Sequence, residues 1–138
     1  AHLIGIARAN ILVGNWNSGG YDGVIGLYAD SGAAINPSLV TGLAKPRYLT
    51  LNGDNIYVAS EVPDVSVFHT SGTPINPYLI SGLIGWPMGI AVENGRVYVA
   101  DWNGSVGVYT TSGVPLNASL ISGLNYPTGI ALDGQGCL

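Results

Sequence analysis

The feature that most constrains this chain is an internal repeat of about 41 residues. Three landmarks recur along the sequence with spacings of 40 or 41 residues: a Ser-Gly pair, a Gly-Leu pair and a proline. A fixed period of this length indicates one supersecondary unit used several times, because such units bury their apolar faces against one another. The landmarks stand at Ser31-Gly32, Ser71-Gly72 and Ser112-Gly113, at Gly42-Leu43, Gly82-Leu83 and Gly123-Leu124, and at Pro46, Pro87 and Pro127.

Each repeat predicts four short antiparallel strands. In the best-defined repeat, the runs at residues 89–92, 97–100, 106–109 and 119–122 are rich in β-branched and aromatic residues. Asn94 and Gly95 separate the first two runs and favour a tight hairpin turn. Four strands in one repeat are typical of a β-propeller blade, whereas a sandwich does not repeat its sequence and β-helix repeats are much shorter. The predicted fold is therefore all-β and built from propeller blades.

The composition narrows the classes of partner. Hydrophobic residues make up 47% of the 138 residues, which is too much for a disordered chain. The net charge is −4 and only four residues are basic, so neither nucleic acid nor an anionic membrane surface is an expected partner. No apolar run reaches the roughly 18 residues of a membrane-spanning helix, so no membrane insertion is expected. Cys137 is the only cysteine, which excludes an intrachain disulfide.

A phrase within the repeat resembles a known family. Residues 82–101 carry Gly-Leu, Pro, Gly-Ile-Ala-Val, Asn-Gly and Val-Tyr-Val-Ala-Asp in this order, and residues 42–60 carry a degraded copy. The phrase resembles NHL repeats and is similar in style to those of secreted bacterial surface proteins. The resemblance implies a β-propeller, commonly with six blades in that family. Together with a surface poor in charge, it predicts an extracellular or cell-surface location.

The blade count predicts self-association. The single segment 1–138 divides into blades at residues 3–46, 47–87 and 88–127, followed by a lone innermost strand at residues 128–132. Closed propellers have about four to eight blades, so three blades leave sheet faces uncovered. We expect a homodimer in which two copies complete a six-bladed ring. A strand-exchanged polymer, or a longer protein of which this sequence is a piece, is the alternative.

Eight polar and aromatic residues are predicted to share one rim of the propeller. By analogy with other propellers, loops between second and third strands lie on the same face as the connections between blades. Exposed aromatic rings beside amides and carboxylates suit a carbohydrate, so a lectin is an alternative function. The interpretation that we favour is that Trp16 and Trp102 pack between blades. The rim residues are Asn15, Trp16, Arg47, Trp86, Asp101, Trp102, Asn103 and Tyr126.

Neither a metal centre nor a catalytic group is predicted. Glu61 and Asp101 occupy equivalent repeat positions and are candidates for a channel metal, but capping of the following turn is the interpretation that we favour. Some NHL-like propellers are lyases or lactonases with metal-binding histidines, which His2 and His69 do not match. We therefore expect no cofactor and a non-enzymatic binding or structural module, with a glycan or a protein as a further ligand. A metal-dependent lyase or hydrolase is the alternative.

Overall fold

Each repeat folds as an antiparallel meander of short strands. The computed structural model describes residues 9–16, 22–62 and 64–135, and these residues form eleven strands. None of the described residues belongs to a helix that could cross a membrane. The strands are β1 (Asn10–Asn15), β2 (Gly23–Ala29), β3 (Ala34–Leu43), β4 (Pro46–Asn52), β5 (Asn55–Ser60), β6 (Asp64–His69), β7 (Pro74–Ile80), β8 (Pro87–Glu93), β9 (Arg96–Asp101), β10 (Ser105–Thr110) and β11 (Pro115–Ile121).

The strands form three antiparallel sheets, one for each repeat. The second and third sheets have the orders β4-β5-β6-β7 and β8-β9-β10-β11, and each is a four-stranded propeller blade. The first sheet has the order β1-β2-β3. The repeat pattern predicts the innermost strand of this blade at residues 3–7, which lie outside the described residues. The all-β fold of propeller blades is confirmed. Pro46 and Pro87 begin β4 and β8, so each proline belongs to the blade that follows it.

The lone strand predicted at residues 128–132 is not formed. These residues repeat the Gly-Ile-Ala motif of β8, but they form no ladder with any described strand. They lie beside β8 instead, with their backbone close to that of Gly89. A Cβ atom placed on Gly89 would lie only 3.0 Å from the Cα of Gly129 and 3.1 Å from the nitrogen of Ile130. A strand needs the N–H and C=O groups of a neighbouring strand, and packing of backbone against backbone does not supply them.

Apolar side chains between successive blades form the core. Because strand residues alternate between the two faces of a sheet, Ile56 and Val58 pack toward the first blade, whereas Tyr57 and Ala59 pack toward the third. Each blade therefore has two apolar faces that must both be covered. The first interface also contains Ile25, Val40, Leu43 and Phe68, and the second also contains Val65, Val67, Leu79, Ile80, Ile90, Val97, Val99 and Tyr109.

The outer hairpin of each blade has the same irregularity. The register between the third and fourth strands shifts in all three blades. At each shift an asparagine side chain accepts a hydrogen bond from the backbone N–H two residues later, at 3.2 Å for Asn36, 3.0 Å for Asn76 and 3.0 Å for Asn117. This local turn gives the bulged backbone a partner that the ladder does not provide.

The glycine of the Ser-Gly turn brings neighbouring blades together at their outer ends. Gly72 and Gly113 have φ values of 90° and 89°, in the region that glycine adopts most easily. A Cβ atom on Gly72 would collide with the carbonyl oxygen of Leu39 in the preceding blade, and one on Gly113 would collide with that of Leu79. The equivalent glycine of the first blade, Gly32, has open space around it. The close contact is therefore made at both interfaces between blades.

We expect Gly113→Ala to destabilise the fold more than Gly53→Ala does. Both glycines have a positive φ, 89° and 59°, so each substitution loses about 1 kcal/mol through backbone strain. Only at Gly113 must the new methyl group also displace a carbonyl group, which costs about 1–3 kcal/mol more. Urea unfolding of the two variants measures the difference. Equal losses at both positions would contradict the close contact between blades.

Candidate functional site

Two sets of repeat-equivalent residues meet at one rim of the blades. The first set directly follows the second strand of each meander and consists of Trp16, Glu61 and Trp102. The second set directly precedes the repeated prolines and consists of Lys45, Trp86 and Tyr126. The two sets are joined through the backbone, because the N–H of Glu61 donates to the Lys45 carbonyl oxygen at 3.1 Å and that of Trp102 to Trp86 at 2.9 Å. We include these positions in the rim, together with the eight residues predicted to share it.

Trp16 lies in a cluster of charged groups between the first and second blades. The Lys45 Nζ atom lies 5.3 Å from the centre of the Trp16 ring, and the Arg47 Cζ atom lies 5.5 Å from it. Both cations also contact the Oε2 atom of Glu61, at 3.0 Å for Lys45 Nζ and 3.4 Å for Arg47 Nη2. The hydrogen bond from Lys45, opposed by desolvation and reinforced by both positive charges, lowers the pKa of Glu61 below its usual value.

Trp102 makes the equivalent contact with an aromatic partner. Its ring centre lies 4.6 Å from that of Tyr126, with an angle of 36° between the rings. Tyr126 and Lys45 both precede a proline and both have left-handed backbones, with φ of 51° and 46°. The residue before the next proline therefore covers the tryptophan at both sites, as a cation in one and as an aromatic ring in the other.

The rim tryptophans are both packed and exposed. Trp16, Trp86 and Trp102 keep between 36% and 44% of their surface accessible. Trp16 packs on Lys45 and Arg47 beside the start of the second blade, whereas Trp102 packs on Tyr126, after which no strand is described. Packing of both tryptophans between blades therefore stays a prediction. Of the other predicted rim residues, Asn15, Arg47, Asn103 and Tyr126 are exposed and Asp101 is buried.

Asp101 holds a turn together. Its side chain is only 6% exposed, its Oδ1 atom accepts the N–H of Asn103 at 2.7 Å, and its Oδ2 atom accepts the N–H of Gly85 at 3.1 Å. A carboxylate that accepts two backbone N–H groups is a capping group. Among the described residues, no group of three or more His, Cys, Asp or Glu side chains could hold a metal ion. Both carboxylate oxygens of Asp101 and the Oε2 atom of Glu61 are engaged by other protein groups.

His69 belongs to a local turn. Its Nδ1 atom accepts the backbone N–H of Ser71 at 3.0 Å and lies 2.8 Å from the hydroxyl of the same residue. Ser71 in turn lies 3.1 Å from the hydroxyl of Thr73. The contacts of this histidine ring nitrogen are thus made within the β6–β7 hairpin, and His2 lies outside the described residues.

Two cavities between blades are features that the sequence analysis missed. One of about 520 Å³ lies between the first and second blades, and one of about 450 Å³ lies at the equivalent place between the second and third. Each is walled by the end of one blade's outermost strand and by the facing side of the next blade. Asp64 lines the first cavity and Asp101 lines the second. The signal in the sequence is a Ser–Asp pair that recurs across the second and third strands, as Ser60 with Asp64 and Asp101 with Ser105.

Comparisons with known proteins support the fold. No model of a known protein family matches this chain, and no curated protein matches it, so no enzyme family or catalytic relative is found. The chain is similar to the crystal structure of the computationally designed Ika8 protein, with a TM-score of 0.64 and 16% sequence identity. The match covers 93% of this chain and 38% of the designed one, so this chain spans well under half of that length. The likeness shows a shared β-propeller-like fold, and the resemblance to NHL repeats stays a prediction.

We expect Gly85→Ala to destabilise the third blade and a second substitution to restore it. A Cβ atom on Gly85 would collide with the Asp101 Oδ1 atom, so the carboxylate must leave at least one of its buried N–H partners, at a cost of about 1–3 kcal/mol. The second repeat carries Ala44 and Ser60 at these two positions. The double variant Gly85→Ala with Asp101→Ser is therefore expected to recover part of the loss in thermal unfolding. A double variant that loses the sum of both single effects would contradict this coupling.

Proposed function

We propose that this protein is a non-enzymatic binding or structural module of the NHL-like type that associates with a second copy of itself. In this proposal the outer face of the third blade in one copy covers the outer face of the first blade in the other. One observation carries the proposal: apolar positions that are buried between blades inside the chain are exposed at Ile11 and Val13 on one outer face and at Leu120 and Ile121 on the other. The rest of the third blade's outer face, at Ala100, Val106 and Val108, is already buried within the chain, so the contact would be made through its outermost strand.

The outer face of the first blade supports this proposal. Ile11 and Val13 point from β1 away from the second blade and are 45% and 43% exposed. Their equivalents in the second blade, Ile56 and Val58, are fully buried. The equivalents in the third blade, Val97 and Val99, are also buried. The first blade therefore presents the same kind of apolar face as the other two, without a described blade against it.

The outer face of the third blade is the second of the two contact surfaces in this proposal. Leu120 and Ile121 are each 47% exposed, whereas their equivalents in the second blade, Leu79 and Ile80, are 7% and 3% exposed. Leu79 is also the residue whose carbonyl oxygen meets the glycine of the next blade's Ser-Gly turn. On the first blade, Gly32 has the open space that a leucine at this position would fill. The two faces are thus complementary in the way that internal blade faces are.

The two faces determine the type of assembly. Because they differ, contact between copies is head-to-tail, and such contact either closes a ring or extends into a polymer. Three blades in each copy fit a ring of two copies and six blades.

The Asp101 and Glu61 carboxylates are engaged by structural partners, which supports a non-enzymatic role. We place the module outside the cell or at its surface, since its surface is unusually poor in charge.

We expect sedimentation velocity to give the mass of two chains for the wild-type protein, or of larger species if the contact extends. Val13→Lys is expected to weaken this association at least about tenfold, because a charge replaces an apolar side chain in the contact. The matched control is Ile75→Lys. Ile75 is 52% exposed and its equivalents Ile35 and Leu116 are equally exposed, so this position is not covered by a neighbouring blade.

Two results would overturn the proposal. One is a wild-type protein that stays monomeric over the whole accessible range of concentration. The other is an equal effect of Val13→Lys and Ile75→Lys on the association. Both substitutions replace a side chain that is exposed within the single chain, so neither is expected to unfold the blades.

A further inference from the structure

The cavity between the first and second blades has the chemistry of a ligand site. Its walls are the end of β3 in the first blade and the facing side of β5 and β6 in the second. A volume of about 520 Å³ lies within the usual range for pockets that hold small molecules. We call it the first inter-blade cavity. The side chains that matter below are those of Thr41, Ser60, Asp64, Ser66, Phe68 and Tyr78.

The second blade presents a polar stripe to this cavity. Asp64, Ser66 and Phe68 are alternate residues of β6 and therefore share one face of the sheet. Ser60 of β5 is paired directly with Asp64 across the two strands. Ser60 and Ser66 are more than nine-tenths buried, which is unusual for polar residues on a face that is otherwise apolar. Tyr78 is largely exposed and also borders the cavity.

The polar groups of this stripe lack partners within the protein. Among the described residues, no hydrogen bond or ion pair engages the Asp64 carboxylate, and burial raises its pKa above the usual value. The side-chain hydroxyl of Ser66 likewise has no hydrogen-bonding partner in the described part of the chain. Neither the Ser66 hydroxyl nor the Asp64 carboxylate is completely buried, so both are accessible from the cavity and are available to pair with a ligand there.

The second inter-blade cavity is a natural comparison within the same chain. It carries the same Ser–Asp pair in the opposite order, as Asp101 on β9 with Ser105 on β10. There the carboxylate is engaged by two backbone N–H groups. Glycine replaces the buried serine at Gly107, where a Cβ atom would lie 2.8 Å from the hydroxyl oxygen of Tyr109. The ring of Tyr109 thus lies where the side chain of the equivalent Ser66 stands in the second blade. Of these two cavities, only the first combines a buried serine with a carboxylate that has no protein partner among the described residues.

The donors and acceptors of the first cavity match a neutral sugar better than an amine. Its lining includes no Lys, Arg or His, so it has no feature that selects an anion. Hydroxyl side chains both donate and accept hydrogen bonds, as sugar hydroxyls do, whereas an ammonium group only donates. A carboxylate accepts strongly from hydroxyl groups, and aromatic rings pack against the C–H face of a sugar ring. We propose that the first inter-blade cavity binds a neutral saccharide, with Asp64 and Ser66 bonded to its hydroxyls and with Phe68 and Tyr78 against its ring.

The test is saturation-transfer NMR with five neutral sugars, namely glucose, galactose, mannose, fucose and N-acetylglucosamine, and with n-butylamine as the amine probe. At least one sugar is expected to bind. Asp64→Asn is expected to weaken that binding about tenfold, because a charged hydrogen-bond acceptor becomes neutral. This substitution keeps the shape of a side chain without protein partners, so the fold is retained. Tyr78→Ala is expected to weaken binding as well.

The matched control is Asp54→Asn, which removes the same charge from an exposed turn between β4 and β5. It is expected to bind the sugar as the wild-type protein does. Absence of binding to all five sugars, equal binding by the wild-type and Asp64→Asn proteins, or a preference for n-butylamine would each overturn the proposal. The cavity lies within one chain, so Val13→Lys is expected to bind the sugar normally. This separates a failure of the ligand site from a failure of self-association.

Discussion

The packing of one apolar sheet face on the next is the interaction on which the rest of this structure depends. A four-stranded sheet of about 40 residues cannot bury its own two faces, so each blade is stable only against a neighbour. Ile56 and Val58 are buried because the first blade covers them, and Tyr57 and Ala59 because the third does. The same rule explains why Ile11 and Leu120 are exposed, because they occupy these positions on faces that no described blade covers.

The repeated parts of the sequence maintain this packing. The asparagines at the outer bulges shape the same turn in all three repeats, and Gly72 and Gly113 allow the close approach at both interfaces between blades. The parts that vary are at the rim and in the inter-blade cavities. Trp16 is covered by cations and Trp102 by a tyrosine, although the backbone geometry is shared. A repeat protein can therefore change its ligand chemistry while it keeps its interfaces.

The strands were predictable from the sequence because local patterns specify them. Asn94 and Gly95 mark a hairpin, and the β-branched and aromatic residues of β9 favour a strand. Residues 128–132 show the limit, since they have the motif of β8 but lack a partner strand in the described chain. The first inter-blade cavity was missed for another reason. Thr41 and Asp64 lie in different blades, and only the packing of those blades brings them to one cavity.

The most direct test of head-to-tail packing is to mix two variants that each have one damaged outer face. Val13→Lys places a charge on the outer face of the first blade, and Leu120→Lys places one on the outer face of the third. Each variant keeps the face that the other has lost, so sedimentation velocity is expected to show that the mixture associates more tightly than either variant alone. A mixture that associates no better than the two separate variants would contradict head-to-tail packing of blades.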